Sequence, residues 1–386
     1  YYVSNGGGGT ARPFIGGLQC YLTDKTAPKV SSVALVGADG GAAPSYTVPG
    51  GRFCYLLDFD EKVSVAQSGT ATISLNGGRY ESSGASVIQT EDGKTQIRYS
   101  FTLPSTGNMY EDGAVTLVSV SGLDAYDEAG NSLDVGSVTT AVGEVPALTF
   151  YGLKDVIDSM LGGLRFSGKS VAVYGQEYTA VLSAETGYTL PNTIEVFVGG
   201  KQLSWGQYSY DDNSGNISVA AEYVTDYIVI RAEGVPKQYN ITFEQAGGTG
   251  GSTISTATFD KTVPAITIPV RTGYTFGGYY TQSGGEGTKY YDENGIGTIK
   301  YTLDGPVTLY AMWTVNSYTV VYDGNKPLGA SSSVVGSTAA SSHTYDRESV
   351  LTKNGYSLQG WTFKGWNDNA GGTGKYLQVH MVGETP

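Results

Sequence analysis

The sequence predicts an all-β chain made of several domains, and three observations carry that expectation. Apolar and polar residues alternate with period two along most of the chain, as they do in half-buried strands. Glycine (56 residues) and tyrosine (30) are abundant while charged residues make up only 15%, a composition suited to strands joined by tight turns. At 386 residues the chain is too long for one ordinary core, so about three or four domains are expected.

Taken in order, residues 1–26 hold the Gly tract Gly6 to Gly9, then Pro13, Gly16 and Gly17. They read as an arm or as the end of a preceding domain. Alternating strand candidates follow at 53–59, 63–65, 71–75, 95–103 and 115–120, the pattern of a sandwich. The opening Asp24-Lys25-Thr26-Ala27-Pro28 and the turn Asp127-Glu128-Ala129-Gly130-Asn131 resemble the two ends of a bacterial Ig-like domain. That resemblance implies an Ig-like sandwich over 27–146, with its last strand over 137–142.

Residues 147–235 read as a β-rich module carrying one helix over 152–164. Leu153, Val156, Ile157, Met160, Leu161 and Leu164 recur at three- and four-residue spacing, one apolar stripe. Asp155 near the start and Gly162-Gly163 near the end supply dipole and stop signals. Further on, Asp211 to Asn216 separate Tyr208-Ser209-Tyr210 from Ile217-Ser218-Val219, a hairpin signal.

The clearest pattern spans 239–313. It opens with Tyr239-Asn240-Ile241-Thr242-Phe243, passes through Arg271-Thr272-Gly273-Tyr274-Thr275-Phe276, and closes with Thr308-Leu309-Tyr310-Ala311-Met312-Trp313. These pieces resemble a Listeria–Bacteroides repeat, the B-repeat of internalin-type surface proteins. The resemblance implies a small β-grasp-like module over 236–315, of a kind strung along bacterial surface and secreted proteins. The family usually has Trp where Tyr279 stands. A second copy is expected over 316–386. Tyr318 to Tyr322 answer the opening strand, and 353–361 answer 271–279, with Trp361 in the place of Tyr279. Phe363-Lys364-Gly365-Trp366 offers an alternative register, the mark of a short insertion. No counterpart of the closing strand follows, so the second repeat is expected to be truncated, or completed by residues beyond Pro386 or by another chain. Tandem repetition of this kind points to an array.

The net charge of −13 argues against nucleic acid and anionic membrane as partners. No apolar run reaches the roughly 18 residues a membrane helix needs. The start, Tyr-Tyr-Val-Ser, lacks a basic leader and reads as an internal or mature segment.

Few motifs carry chemistry. Gly163 to Ser170 fit the G-x-x-x-x-G-K-[ST] pattern, but a phosphate loop must leave a strand and open a helix. Here a helical stripe precedes it and strand-like residues follow. Asp124, Asp127 and Asn131 crowd one loop and could hold Ca²⁺ through oxygen ligands; a solvated turn, in which Asp and Asn bond their own backbone, is the simpler explanation. No other cofactor is expected. Cys20 and Cys54, an even pair, could form a disulfide in an oxidising location. Trp205 and Trp366 fall outside the repeat's own pattern and are candidates for stacking on sugar rings. Trp313 and Trp361 match repeat positions and are expected in the cores.

The function expected is a non-catalytic stalk or adhesin segment of a bacterial cell-surface or secreted protein. Its partner would be a glycan, a protein or a neighbouring copy of itself. Two alternatives are a carbohydrate-binding accessory region of a large secreted glycosidase and a self-assembling filament or lattice subunit.

Overall fold

The computed structural model of the chain describes residues 24–107 and 109–377. The chain is almost all β. The first part contains β1 (Val30–Gly37), β2 (Tyr46–Thr47), β3 (Arg52–Phe59), β4 (Ser64–Leu75), β5 (Gly78–Glu81), β6 (Gly84–Gln89), β7 (Thr95–Thr102), β8 (Gly113–Tyr126), helix α1 (Val135–Gly143) and β9 (Leu148–Phe150). They form two sheets, β1-β3-β7-β6 and β2-β9-β8-β4-β5. Alternation explains the packing: Ile97, Tyr99 and Phe101 of β7 are buried against Phe53, Tyr55 and Leu57 of β3. The strands expected at 63–65 and 71–75 are one strand, β4, interrupted by bulges.

The strand expected over 137–142 is instead helix α1. Its β-branched residues favour a strand, but Val138, Ala141 and Val142 fall at i, i+3 and i+4 and are buried together. The Asp134 side chain caps the start by accepting from Gly136 N, which satisfies an otherwise unpaired amide.

The second part contains β10 (Leu153–Met160), β11 (Leu164–Gly168), β12 (Val171–Val173), β13 (Tyr178–Ala184), β14 (Tyr188–Thr189), β15 (Glu195–Val198), β16 (Lys201–Gln202), β17 (Tyr208–Tyr210), β18 (Asn216–Val219), β19 (Ile228–Ala232) and β20 (Val235–Pro236). The helix expected over 152–164 does not form. β10 lies parallel to β19, Val156 opposite Ile228 and Met160 opposite Ala232, and antiparallel to β12. Val156 and Met160 pack on the core while Ile157 and Leu161 are exposed. A spacing of four serves period two as well as 3.6, and pairing on both edges of β10 decides between them. The glycines read as a helix stop, Gly162 and Gly163, form a positive-φ turn into β11. The phosphate-loop pattern therefore lies on a strand that leads to another strand.

The third part is one sheet. β21 (Gln238–Glu244), β22 (Ile254–Thr258), β23 (Tyr274–Tyr280), β24 (Lys289–Tyr291) and β25 (Val307–Val315) stand in the order β22-β21-β25-β23-β24. The last strand in sequence is thus central, parallel to β21 and antiparallel to β23.

The fourth part forms three two-stranded pieces: β26 (Ser317–Val320) with β28 (Ser341–Thr344), β27 (Val335–Gly336) with β29 (Tyr356–Ser357), and β30 (Trp366–Asn367) with β31 (Tyr376–Leu377). Trp366 pairs with Leu377 as Tyr279 pairs with Tyr291. The register is therefore the Phe363–Trp366 one, and Trp366, not Trp361, takes the place of Tyr279. The first three parts have separate hydrophobic cores with no residue in common.

Candidate functional site

Separate cores leave the junctions between modules as the places where the chain sets its geometry. The second and third junctions share one construction. In the second module, Gly187 opens the turn Gly187-Tyr188-Thr189 at φ +83°. The Phe259 ring of the next module covers it and meets Tyr188 edge-on, centroids 5.4 Å apart. In the third module, Gly273 opens Gly273-Tyr274-Thr275 at φ +76°. It is covered by Tyr345 of the last module, which meets Tyr274 edge-on at 6.0 Å.

The backbone bonds repeat as well. Lys237 N donates to Gly187 O, and Phe259 N donates to Lys237 O, both 2.9 Å. Asn316 N donates to Gly273 O, and Tyr345 N donates to Asn316 O, both 2.9 Å. One linker residue therefore ties the glycine turn of one module to the aromatic turn of the next. Only glycine suits the socket, because a Cβ at 187 or 273 would overlap the covering ring and the positive φ disfavours L side chains. The next residues, Asp260 and Asp346, also share positive φ, 56° and 57°.

Extra contacts strengthen the third junction. Thr275 Oγ1 donates to Asn316 Oδ1 at 2.6 Å, and the Arg271 guanidinium lies 3.7 Å from the Tyr274 ring centre. The first junction is built differently. Tyr151 stacks on Tyr174 at 3.7 Å, and Tyr46 closes on both rings edge-on. Asp112 accepts from Gly152 N at 2.8 Å and from the largely buried Lys154 Nζ at 2.7 Å. Burial raises the Tyr174 hydroxyl above its ordinary value, helped by the hydrogen bond with Tyr151.

The residues singled out from the sequence fall elsewhere. Trp205 is 73% exposed on the second module. Trp366 is part of the last module's packing: its ring lies 4.5 Å from Tyr322, and Nε1 donates to Thr352 O. The more exposed ring is Trp361. Asp124 accepts from the Tyr126 hydroxyl. Asp127 is buried and accepts from Asn131 N and Nδ2 at 2.7 and 2.6 Å. Burial alone would raise the Asp127 carboxyl, but these bonds outweigh it and hold it low. The carboxylates that converge on Asp127 are Asp24 and Glu61, all within 4.8 Å of one another. A cation at this end of the module would meet that trio. Burial, then the charges of Asp60, Asp127, Asp24 and Glu128, raise the Glu61 carboxyl. Cys54 is buried with its thiol on Ala38 O. Cys20 lies outside the described residues, and so does the expected pairing.

The junctions are not evident from the sequence alone. Their signal was present as two recurrences, Gly-Tyr-Thr at 187–189 and 273–275, and Phe259-Asp260-Lys261 matched by Tyr345-Asp346-Arg347. Neither recurrence says that one seats on the other.

Separate β-modules joined by a repeated contact define a modular array protein. Residues 239–312 and 318–384 match the Listeria–Bacteroides repeat domain, so the chain carries two copies of it. Two proteins of Evansella cellulosilytica are similar over part of the chain. One, provisionally named a membrane protein, is 29% identical over 172 residues, covering 42% of this chain and 23% of the relative. The other, provisionally named a Gly-rich membrane protein, is 30% identical over 109 residues, 28% of this chain and 12% of the relative. The chain thus spans under a quarter of either relative's length. Among the described residues no helix is long and apolar enough to cross a membrane.

Proposed function

We propose that this chain is a non-catalytic stalk or adhesin segment of a bacterial cell-surface or secreted protein. In this reading four modules, 27–146 (Ig-like), 147–235, 236–315 and 316–386, are rigid units, and their junctions limit bending. The repeated glycine-and-ring junction carries the reading. Each such contact combines a half-buried ring, an edge-on aromatic pair and two backbone hydrogen bonds. Together these are worth on the order of 2–4 kcal/mol, several times thermal energy. Interfaces between domains usually allow hinge motion; a contact of this strength, with a one-residue tether, opposes it. The role assigned is spacing: the array would hold a more distal binding region away from its anchor.

Small-angle scattering of the full chain tests this. An extended particle is expected, and replacing both Gly187 and Gly273 by valine should increase its flexibility without unfolding the modules. A compact globule, or turnover of glycosides or peptides by the pure protein, would remove the proposal.

A further inference from the structure

We infer that the outer face of the β11-β13-β18-β17 sheet is a binding site for a neutral oligosaccharide, with Trp205 as its stacking wall. Registers across the sheet build its floor. Thr179, Ser218 and Ser209 stand in one row on three adjacent strands, and Ser167, Val181 and Asn216 in the next. The intervening residues Tyr178, Ala180, Ile217 and Tyr210 point into the core. The outer face is therefore small and hydroxyl-rich while its back is locked by packing, so it is preformed.

A cleft of about 440 Å³ lies over this floor, bordered by Trp205. That size falls within the range of small-ligand sites, about 300–1,000 Å³. The indole is held beside Tyr208, edge-on at 6.0 Å, through a single bridge between the two residues. A large ring left 73% exposed beside an open polar cleft suits a ligand with one apolar face and a rim of hydroxyls.

The hydrogen-bonding capacity agrees. Among the described residues, the side chains of Ser167, Thr179, Ser209 and Asn216 take part in none of the protein's own hydrogen bonds, whereas Ser218 donates to Glu177. Asp211 is committed to its turn by Ser214 and Asn213. Charge selects among sugars. Among the described residues no lysine or arginine lines the cleft, and Asp211 does, so uronic-acid or sulfated chains are disfavoured. The inference does not rest on the stalk reading, since an isolated module could hold this site.

Calorimetric titration of the full chain with cellotetraose, chitotetraose, xylotetraose and mannotetraose tests it, with an alginate oligomer as the acidic counterpart. At least one neutral tetrasaccharide is expected to bind saturably. Trp205→Ala should weaken it about tenfold or more, and Trp205→Phe less. Trp361→Ala, which removes an exposed ring on another module, should leave it unchanged. Circular dichroism should be the same for all variants, because Trp205 supports no core. The inference fails if no neutral tetrasaccharide binds by about 10 mM. It fails equally if binding survives Trp205→Ala or if the alginate oligomer binds as well.

Discussion

The two repeats begin alike, and their described residues then differ. In the first, β25 arrives last in the sequence and enters the middle of the sheet, where it supplies the fully buried Leu309 and the buried Ala311. Trp313 closes over Phe276 and donates Nε1 to Gln245 O. In the second, no described strand stands between β26 and the Trp366 arm. The space there is a cleft of about 1000 Å³ edged by Tyr322, Tyr356 and Trp366. In the first repeat, the earlier strands form the two flanks of the sheet, β22-β21 and β23-β24, and the core depends on β25, a strand from far along the chain. In the described residues of the second repeat, the aromatic packing of Tyr322, Tyr356 and Trp366, with the bonds from Tyr356 Oη to Tyr322 O and from Trp366 Nε1 to Thr352 O, gathers the pieces.

The largest effect should come from that strand. Leu309→Ala is expected to cost about 2–5 kcal/mol. Hydrogen exchange should place the loss in 238–315 and leave 30–233 protected; loss spreading there would show that the cores are not independent. Alkali should separate the two repeats next. Burial lifts Tyr279 to about 12, as it does Tyr301 with help from Tyr290 and Tyr239, against an ordinary value of 10.0. Their protonated forms favour the folded state, so that contribution is complete below pH 10 and is lost as pH rises from 10 to about 12. In the second repeat, burial of Tyr322 is outweighed by its bonds with Ser341 and Thr352, and its value is lowered. Its contribution has the opposite sign. Spectroscopic titration of tyrosine together with exchange should therefore show the first repeat opening in this window with no matching penalty at Tyr322.

Smaller changes sharpen the contrast. Gly273→Val puts a side chain into the Tyr345 ring at positive φ and should cost about 1–3 kcal/mol, read as freer motion of the last module in scattering. In the second repeat Trp366→Ala should lower stability by about 1–3 kcal/mol, while Trp361→Ala stays within about 0.5 kcal/mol. The reverse order would restore the register read from the sequence. Smallest of all, the Tyr279 hydroxyl is buried with no hydrogen-bond partner. Tyr279→Phe should be neutral or raise stability by up to about 1 kcal/mol, measured by denaturant unfolding.

Much of this was legible in the residues. Period-two alternation located β3, β7, β21 and β25, the hairpin signal located β17 and β18, and tandem similarity located both repeats. Local spacing was an unreliable guide where it fitted two periods. At 152–164 a four-residue spacing admitted helix or strand, and β12 and β19 chose strand. At 137–142 the resemblance to an Ig-like domain implied a strand, and the Asp134 cap with three inward side chains chose helix. The Trp361 and Trp366 exchange has the same origin, since both tryptophans follow a glycine and only the pairing with Leu377 separates them.

The sequence by itself determined that the chain is mostly β, modular, acidic and repetitive, because these follow from composition and from order along the chain. The tertiary structure decided how modules meet: which ring covers Gly187 or Gly273, which carboxylates surround Asp127, and which face leaves Trp205 open. Those contacts join residues far apart in the chain. Their energies come from shape and burial once the backbone has folded, so no local pattern encodes them.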